Sequence, residues 1–372
     1  MAPAFSSVSS NSRSGFESAT TPAPAWTYTW PSATTIVRSV IESIAKLVRC
    51  ESLTEAEAAS AFETIMRGDA TPIQIAGFVI ALRMKGETVD ELTGFARTAR
   101  QLSTPIDVEG DLLDTCGTGG DGLATFNIST ISAIVAAACG AKVAKHGNRA
   151  ASSLCGSADV LEQLGVKIDL EPEGVARCIE QAGIGFLFAP IFHPSFRFAA
   201  VPRRELGVRT VFNVLGPLCN PAGARYQALG VADASLAGKM ADVLMRLGVE
   251  RAIVFHSGDG MDELSVSAPS HVIEIDGRRK EYELDPEELG LKKAPVDSVR
   301  GGGPEQNARI AREVLAGGNG PRRDVVLLNA AAALRAAGIA KDWKDGIKTA
   351  ADAIDSGRAG KTLERWATIS QA

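Results

Sequence analysis

Leu112-Leu-Asp-Thr-Cys-Gly-Thr-Gly-Gly-Asp-Gly122 decides the fold. Its apolar start, Leu112 to Cys116, reads as a buried strand, and Gly117 to Asp121 reads as a tight glycine turn before an Ala-rich helical stretch. Strand, glycine turn and helix in that order are the repeating unit of a parallel α/β sheet, whose ligands gather at the carboxyl ends of the strands. Downstream, no Asp or Glu occurs between Asp121 and Asp159, while Lys142, Lys145, His146 and Arg149 fall within that run. A glycine turn followed by an acid-free basic stretch is suited to a polyanion such as the phosphates of a nucleotide-like substrate.

Moving outward, Lys142 to Lys145, Phe186 to Phe188, Tyr226 to Val231 and Ala252 to His256 are further short apolar runs, with segments between them long enough for crossover helices. Residues 105–372 therefore read as an α/β domain with a mainly parallel central sheet, closed by two late helices at about 322–338 and 344–357. On the other side, Thr54 with Glu57, Thr71 with Gln74 and Thr88 with Glu91 form three capping boxes, and Pro72 takes a first helical position. Ile73, Ala76, Phe78, Val79 and Leu82 recur at helical spacing. Residues 34–104 read as a small all-helical domain. Residues 1–33, rich in Ser, Thr, Pro and Ala, read as a disordered extension. Few acids and Arg13 leave a weak likeness to a transit peptide, and no secretory core is present.

Composition narrows the function. The 372 residues exceed what one core usually supports, which favours two domains or one large α/β domain with an appendage. A net charge of −5 argues against a general nucleic-acid binder, because backbone affinity needs clustered Lys and Arg, so any anion site is local. Six cysteines (Cys50, Cys116, Cys139, Cys155, Cys178, Cys219) form no C-x-x-C pair and no zinc spacing, and read as reduced intracellular thiols. No apolar run reaches membrane-span length, so a soluble, cytoplasmic protein is expected.

The glycine turn also fits G-x-G-x-x-G, the dinucleotide fingerprint. That reading requires an acidic residue at the end of the second strand, where this chain has Lys145-His146. A purely structural turn is the other alternative for the motif taken alone. Backbone N–H groups of Gly117, Gly119 and Gly120 can approach a pyrophosphate because no side chain intervenes. Asn127, Ser129 and Thr130, at the start of the next helix, offer N–H groups and hydroxyls to a phosphate. Lys145 is expected to bring a mobile cation to the same anion. The adjacent carboxylates of Asp262 and Glu263 would repel a bare pyrophosphate, and near an anion site they imply a hard divalent cation between. On spacing alone, they fit a solvated acidic turn equally well.

Taken together, Gly117 to Asp121, Asn127-Ile-Ser-Thr130, Lys145 to Arg149, Gly156-Ser-Ala-Asp159, Asn213 to Pro221 (NVLGPLCNP) and Asp262-Glu-Leu-Ser265 resemble, in that order, the anthranilate phosphoribosyltransferase family. The likeness runs from about residue 35 to the C-terminus. It implies the architecture of the pyrimidine nucleoside phosphorylases, with the active site between a helical and an α/β domain. It also implies Mg2+, a homodimer formed through the helical domain, and the substrates phosphoribosyl pyrophosphate and anthranilate. The residues implied for the donor are Gly117, Thr118, Gly119, Gly120, Asp121, Thr125, Asn127, Ser129, Thr130, Lys145 and Ser157. Those for anthranilate are Gly117, His146, Asn148, His193 and Arg203, with His193 and Pro194 on its access path. Ser129, Asp262 and Glu263 would hold the metal. Lys145, Arg203 and Asn148 carry the catalytic roles.

Arg203 suits the acceptor because a guanidinium binds a carboxylate bidentately. Arg204, or a surface role for both arginines, is the alternative, and His146 also reads as a buried structural histidine. Pro202 departs from the family pattern and fits best in a first helical turn. The implied reaction moves 5-phosphoribose to the amine of anthranilate, releasing pyrophosphate, in tryptophan biosynthesis. Arylamines are neutral at pH 7, so leaving-group electrostatics and positioning dominate and no general base is identified. A hinge near residues 104–112 is expected from a site between domains. The rivals are a nucleoside phosphorylase, which would not need the Asp262-Glu263 pair, and a catalytically silent nucleic-acid-binding homologue, which would be basic.

Overall fold

Thr54, Thr71 and Thr88 each begin a helix through a closed capping box. Thr88 Oγ1 accepts the N–H of Glu91 at 3.2 Å while Glu91 Oε2 accepts the N–H of Thr88 at 2.8 Å, and the other two boxes repeat this reciprocity. The computed structural model describes residues 35–150 and 153–372, so the extension expected over residues 1–33 lies outside the described residues. The N-terminal bundle comprises α1 (Thr35–Leu47), α2 (Glu55–Arg67), α3 (Pro72–Lys85) and α4 (Val89–Gln101). Glu91 is fully buried, and its second oxygen takes the N–H of Leu53 at 2.9 Å, so a cap residue also ties two helices together.

The remainder is built on a seven-stranded sheet in the order β3-β2-β1-β4-β5-β6-β7. The strands are β1 (Leu112–Gly117), β2 (Lys142–Gly147), β3 (Ile184–Phe188), β4 (Tyr226–Gly230), β5 (Arg251–Ser257), β6 (Ser270–Asp276) and β7 (Arg279–Leu284). β1 to β5 pair in parallel, and β6 and β7 join the edge antiparallel. Five strands stand where the apolar runs placed them. The β6–β7 hairpin escaped that reading because β7, Arg-Lys-Glu-Tyr-Glu-Leu, is an exposed edge dominated by charge. The chain runs outward from β1 through β2 to β3 and then returns to the opposite side of β1 as β4. β1 and β4 thus flank a topological switch point, where α/β sheets open a crevice.

Crossovers and flanks are α5 (Ile128–Ala138), α6 (Ser157–Gln163), α7 (Pro172–Ala182), α8 (Ala189–Phe192), α9 (Arg197–Leu206), α10 (Ala234–Arg246), α11 (Pro304–Leu315), α12 (Pro321–Ala336), α13 (Trp343–Asp355) and α14 (Arg358–Ser370). Four helices follow the hairpin where two were expected. α11 sets its apolar face among Glu, Gln, Asn and Arg, and α14 follows α13 directly after Ser356-Gly357, which blurs both boundaries.

One face of the sheet packs on α5 and α12. The other shares a single apolar cluster with the bundle, in which Phe62, Phe78 and Phe95 join Ala199, Phe212, Leu229 and Met240. The segment expected to act as a hinge is anchored where it begins: the N–H of Thr104 donates to Phe192 O at 2.8 Å and its hydroxyl to Ile191 O at 3.2 Å.

Candidate active site

The glycine turn projects from the carboxyl end of β1 into the crevice beside β4, and the N–H of Thr118 donates to Gly230 O at 3.0 Å. Gly117 leaves no room for a side chain, since a Cβ there would lie 2.2 Å from Asp262 Oδ2. Asp262 and Glu263 follow β5 and fold back onto this turn. Asp262 Oδ2 accepts the N–H of Gly119 at 2.6 Å, and Glu263 Oε1 accepts the N–H of Ser129 at 2.9 Å. Both carboxylates therefore sit on N–H groups of the kind that bind anions, one from a glycine turn and one from the first turn of α5.

Their protonation reflects that crowding. Burial, reinforced by the charge of Asp121, pushes the Asp262 carboxyl up to about 7, against the pull of the Gly119 N–H. Burial and then the charge of Asp262 push Glu263 to about 8, against Lys145 and the Ser129 N–H. A half-buried and a buried carboxyl that resist ionising side by side are a hard-oxygen set short of positive charge, which is the donor chemistry of Mg2+. Ser129 is hydrogen-bonded to Glu263 and adds a hydroxyl to the set. The residues present fit such an ion.

Lys145, near the end of β2, is 2% exposed. Its Nζ donates to Thr115 O at 2.6 Å and to Ser129 Oγ at 3.4 Å, so it is a pinned cation behind the turn and not the mobile one expected. Burial lowers its pKa, while Asp114, Cys116 and Glu263 pull the other way. The rest of the basic run is spent elsewhere. Lys142 opens β2 at the opposite end of the strand and donates to Glu109 O, and Arg149 pairs with Asp159 and Glu162.

His146, next to Lys145, enters a second cluster. Its Nδ1 lies 3.1 Å from Gly216 O, and Nε2 of His193 lies 2.9 Å from Cys219 O. Each ring must carry its proton on the nitrogen facing the carbonyl, which leaves the other nitrogen as an acceptor. Nε2 of His146 is buried with no protein partner. Burial, then neighbouring positive charge, lowers His146 to about 4, opposed by its Gly216 contact; burial and then His146 lower His193 to about 3. Both holding carbonyls belong to the Asn213 to Pro221 segment, which explains why that motif accompanies the histidines.

Ring contacts continue from His146 to His193 (5.0 Å), Phe196 (5.3 Å) and Phe212 (5.9 Å). The Arg203 guanidinium lies 5.3 Å from the Phe212 ring. Arg203 is half-buried, burial lowers its pKa, and it pairs with no carboxylate among the described residues; Arg204 is exposed. Pro202 falls inside α9 and not in its first turn, which costs the helix one backbone hydrogen bond without turning Arg203 outward.

The other expected residues divide. Asp121 lies beside Asp262, and its Oδ1 accepts the N–H of Leu123 at 3.1 Å. The Thr130 hydroxyl is buried and unpartnered. Ser157 Oγ donates to Asn148 O at 3.2 Å, so Ser157 and the exposed Asn148 share the rim. Asn127 is committed to structure: Nδ2 donates to Cys155 O and Oδ1 accepts from Asn307. Thr125 forms a bridge with Arg300 away from the turn. Reasoning from sequence missed Phe196, Phe212, Asn307 and Arg209, whose Nη2 donates to Gly119 O at 2.9 Å. Arg209 lies in an ordinary Gly-Val-Arg-Thr turn with no local signal.

A helical bundle packed on a mainly parallel sheet is the architecture of a glycosyl transferase family, and the chain matches that family's helical bundle domain over residues 41–103 and its a/b domain over 109–360. Anthranilate phosphoribosyltransferase 2 of Streptomyces coelicolor is 61% identical over 320 residues, covering 86% of this chain and 96% of that one. Among solved structures, the anthranilate phosphoribosyltransferase of Thermus thermophilus is 47% identical with a TM-score of 0.85, covering 89% of this chain and 99% of that one. The Saccharomyces cerevisiae enzyme, in complex with PRPP and Mg, is 28% identical with a TM-score of 0.83, covering 90% and 98%. The chain belongs to the anthranilate phosphoribosyltransferase family.

Proposed function

We propose that the two clusters are the donor and acceptor halves of one site, which transfers 5-phosphoribose from phosphoribosyl pyrophosphate to the amine of anthranilate and releases pyrophosphate, within tryptophan biosynthesis. The observation that carries this reading is the pair of half-buried Asp262 and buried Glu263, reluctant to ionise and hydrogen-bonded to Gly119 and Ser129 N–H groups. A metal-bound pyrophosphate answers both needs, offering charge to the carboxylates and oxygens to the amides. Mg2+ held by Asp262, Glu263 and Ser129 would supply positive charge to the departing pyrophosphate.

In the transfer, the bond from ribose C1 to the pyrophosphate oxygen breaks with its electron pair going to pyrophosphate, a bond from C1 to the amine nitrogen forms, and the amine loses a proton to solvent. Negative charge then accumulates on the leaving group. The Gly117 and Gly120 amides and the buried Lys145 ammonium present fixed positive potential there, and the Gly119 N–H joins them when its bond to Asp262 is exchanged for the ligand. Arg203, unpaired beside Phe212, takes the acceptor's carboxylate, and Phe196 and Phe212 offer faces to its ring. The unpartnered Nε2 of His146 and the amide of Asn148 orient the amine. Asp121, Thr118, Thr130 and Ser157 line the donor side. Because His146 and His193 stay neutral far below physiological pH, neither repels nor competes with Arg203 for charge.

The chain is read as a homodimer formed through the helical unit of residues 34–104, with residues 105–372 as the catalytic unit. Val48, Ile73 and Met84 support this, lying 66%, 84% and 84% exposed on the bundle. Six free cysteines accord with a reducing cytoplasm. Among the described residues no helix is long and apolar enough to cross a membrane.

The test is the loss of anthranilate fluorescence when the protein is mixed with anthranilate, phosphoribosyl pyrophosphate and Mg2+. Decay that requires the donor and stops with a chelator is the expected result. A folded protein that leaves fluorescence unchanged overturns the reading, and phosphate-dependent cleavage of a nucleoside would then identify a phosphorylase.

A further inference from the structure

Arg209 reaches the glycine turn from the segment that follows α9, the helix that carries Arg203. Its Nη2 donates to Gly119 O at 2.9 Å, and its guanidinium lies so close over Gly120 that a Cβ there would be 1.2 Å from Nη1. Gly119 and Gly120 have φ of +68° and +81°. Glycines flip easily between such conformations and their mirror regions, so the Gly119–Gly120 peptide needs external restraint to keep one orientation.

The restraints are few. At the Gly119 carbonyl the Thr118 hydroxyl lies at a weak 3.4 Å and the remaining contact is Arg209, while the Gly119 N–H that goes to Asp262 belongs to the preceding peptide. Among the described residues, Arg209 is the one charged group holding this peptide. In a trans peptide the C=O and N–H point in opposite directions, so fixing the Gly119 carbonyl against Arg209 fixes the Gly120 N–H on the far side. The guanidinium pairs with no carboxylate among the described residues, so its charge is uncompensated beside a turn that receives a polyanion.

We propose that Arg209 is a positioning residue for the donor: it holds the Gly119–Gly120 peptide with the carbonyl turned away and the Gly120 N–H presented to pyrophosphate. This rests on the phosphoribosyl transfer read above. The connection also runs through Gly207 and Val208 to α9, so the turn that binds the donor is tied to the helix that binds the acceptor.

The experiment compares Arg209→Met and Arg209→Lys with the natural protein in two measurements: calorimetric titration of inorganic pyrophosphate with Mg2+, and steady-state KM for each substrate. Loss of a charge-assisted hydrogen bond predicts pyrophosphate binding weakened about tenfold in R209M, with a matching rise in donor KM and anthranilate KM within about twofold. R209K keeps the charge but not the planar fork, and recovers part of the loss. Equal melting temperatures of all three proteins exclude misfolding, as expected for an exposed side chain. Unchanged pyrophosphate binding in R209M, or an equal rise in both KM values, overturns the inference. If the natural protein fails to consume anthranilate, the reaction assigned above falls, while the pyrophosphate titration still decides the role of Arg209.

Discussion

Glu263 Oε1 accepts the backbone N–H of Ser129 across 134 positions of sequence, joining the loop after β5 to the first turn of α5. The same serine's hydroxyl lies 3.4 Å from Lys145 Nζ, so a carboxyl, a helix N-terminus and a buried ammonium meet at one residue. The contact places a carboxyl on an N–H group at the start of a helix, the kind of group that binds anions.

That placement has a pH signature. Asp262 and Glu263 titrate near 7 and 8 when folded, against roughly 4 in an unfolded chain. The folded state thus holds extra protons between those values, and stability falls as pH rises through that window. His146 and His193, lowered to about 4 and about 3, act oppositely: the folded state holds fewer protons, and stability rises until the unfolded histidine value of roughly 6.5. Above that value the histidines no longer offset the carboxyl effect. With a chelator present, the melting temperature is expected to fall between about pH 6.5 and 8.5, and the Asp262→Asn, Glu263→Gln double variant to flatten the decline.

Glu263→Ala is expected to weaken Mg2+ dependence and slow turnover together, because the carboxyl proposed to hold the ion also accepts from the first turn of α5. Mg2+ titrations of initial rate check this. A half-saturating Mg2+ concentration equal to that of the natural protein removes Glu263 from the metal set.

Arg203→Ala should raise the anthranilate KM by at least about tenfold, the worth of a charge-assisted hydrogen bond, with the donor KM within about twofold. Arg204→Ala, at an exposed neighbour, should change neither. Equal effects of R203A on both substrates would contradict the acceptor role.

In the bundle, Glu91 receives the N–H groups of Leu53 and Thr88 and pairs with Lys85 at 2.9 Å, where the side chains are 0% and 6% exposed. Glu91→Ala leaves a buried ammonium unpaired and is expected to cost about 3–5 kcal/mol in denaturant unfolding.

Ile73→Asp with Met84→Asp places two charges on the exposed apolar surface of α3. Sedimentation should find the natural chain dimeric and this variant monomeric; identical sedimentation would direct the dimer contact elsewhere.

Much of this was legible because local chemistry announces local structure. The three capping boxes, five parallel strands and glycine turn each carry their signal within a few residues. Asp262 and Glu263 were readable as a pair because two adjacent acids near an anion site pose an electrostatic problem. Sequence could not show that Lys145 is immobile, since its partners Thr115 and Ser129 lie 30 and 16 positions away, or that Lys142 faces the wrong end of its strand. Arg209 and Gly119 are 90 positions apart, a contact that exists only once β1 and α9 have found their places. The strongly charged β7 concealed itself for the opposite reason: an edge strand is kept polar so that it does not recruit another strand.

Phe62 belongs to the bundle and touches no part of either cluster's polar chemistry, yet its ring lies 5.8 Å from Phe212, the surface on which Arg203 rests. A shifted ring in α2 is therefore transmitted through direct packing to the Arg203 guanidinium proposed to hold the acceptor's carboxylate. The bundle cannot be exchanged as an independent module: grafting it from a relative would carry a specificity change into the sheet domain unless Phe62 and its aromatic neighbours travelled as a set.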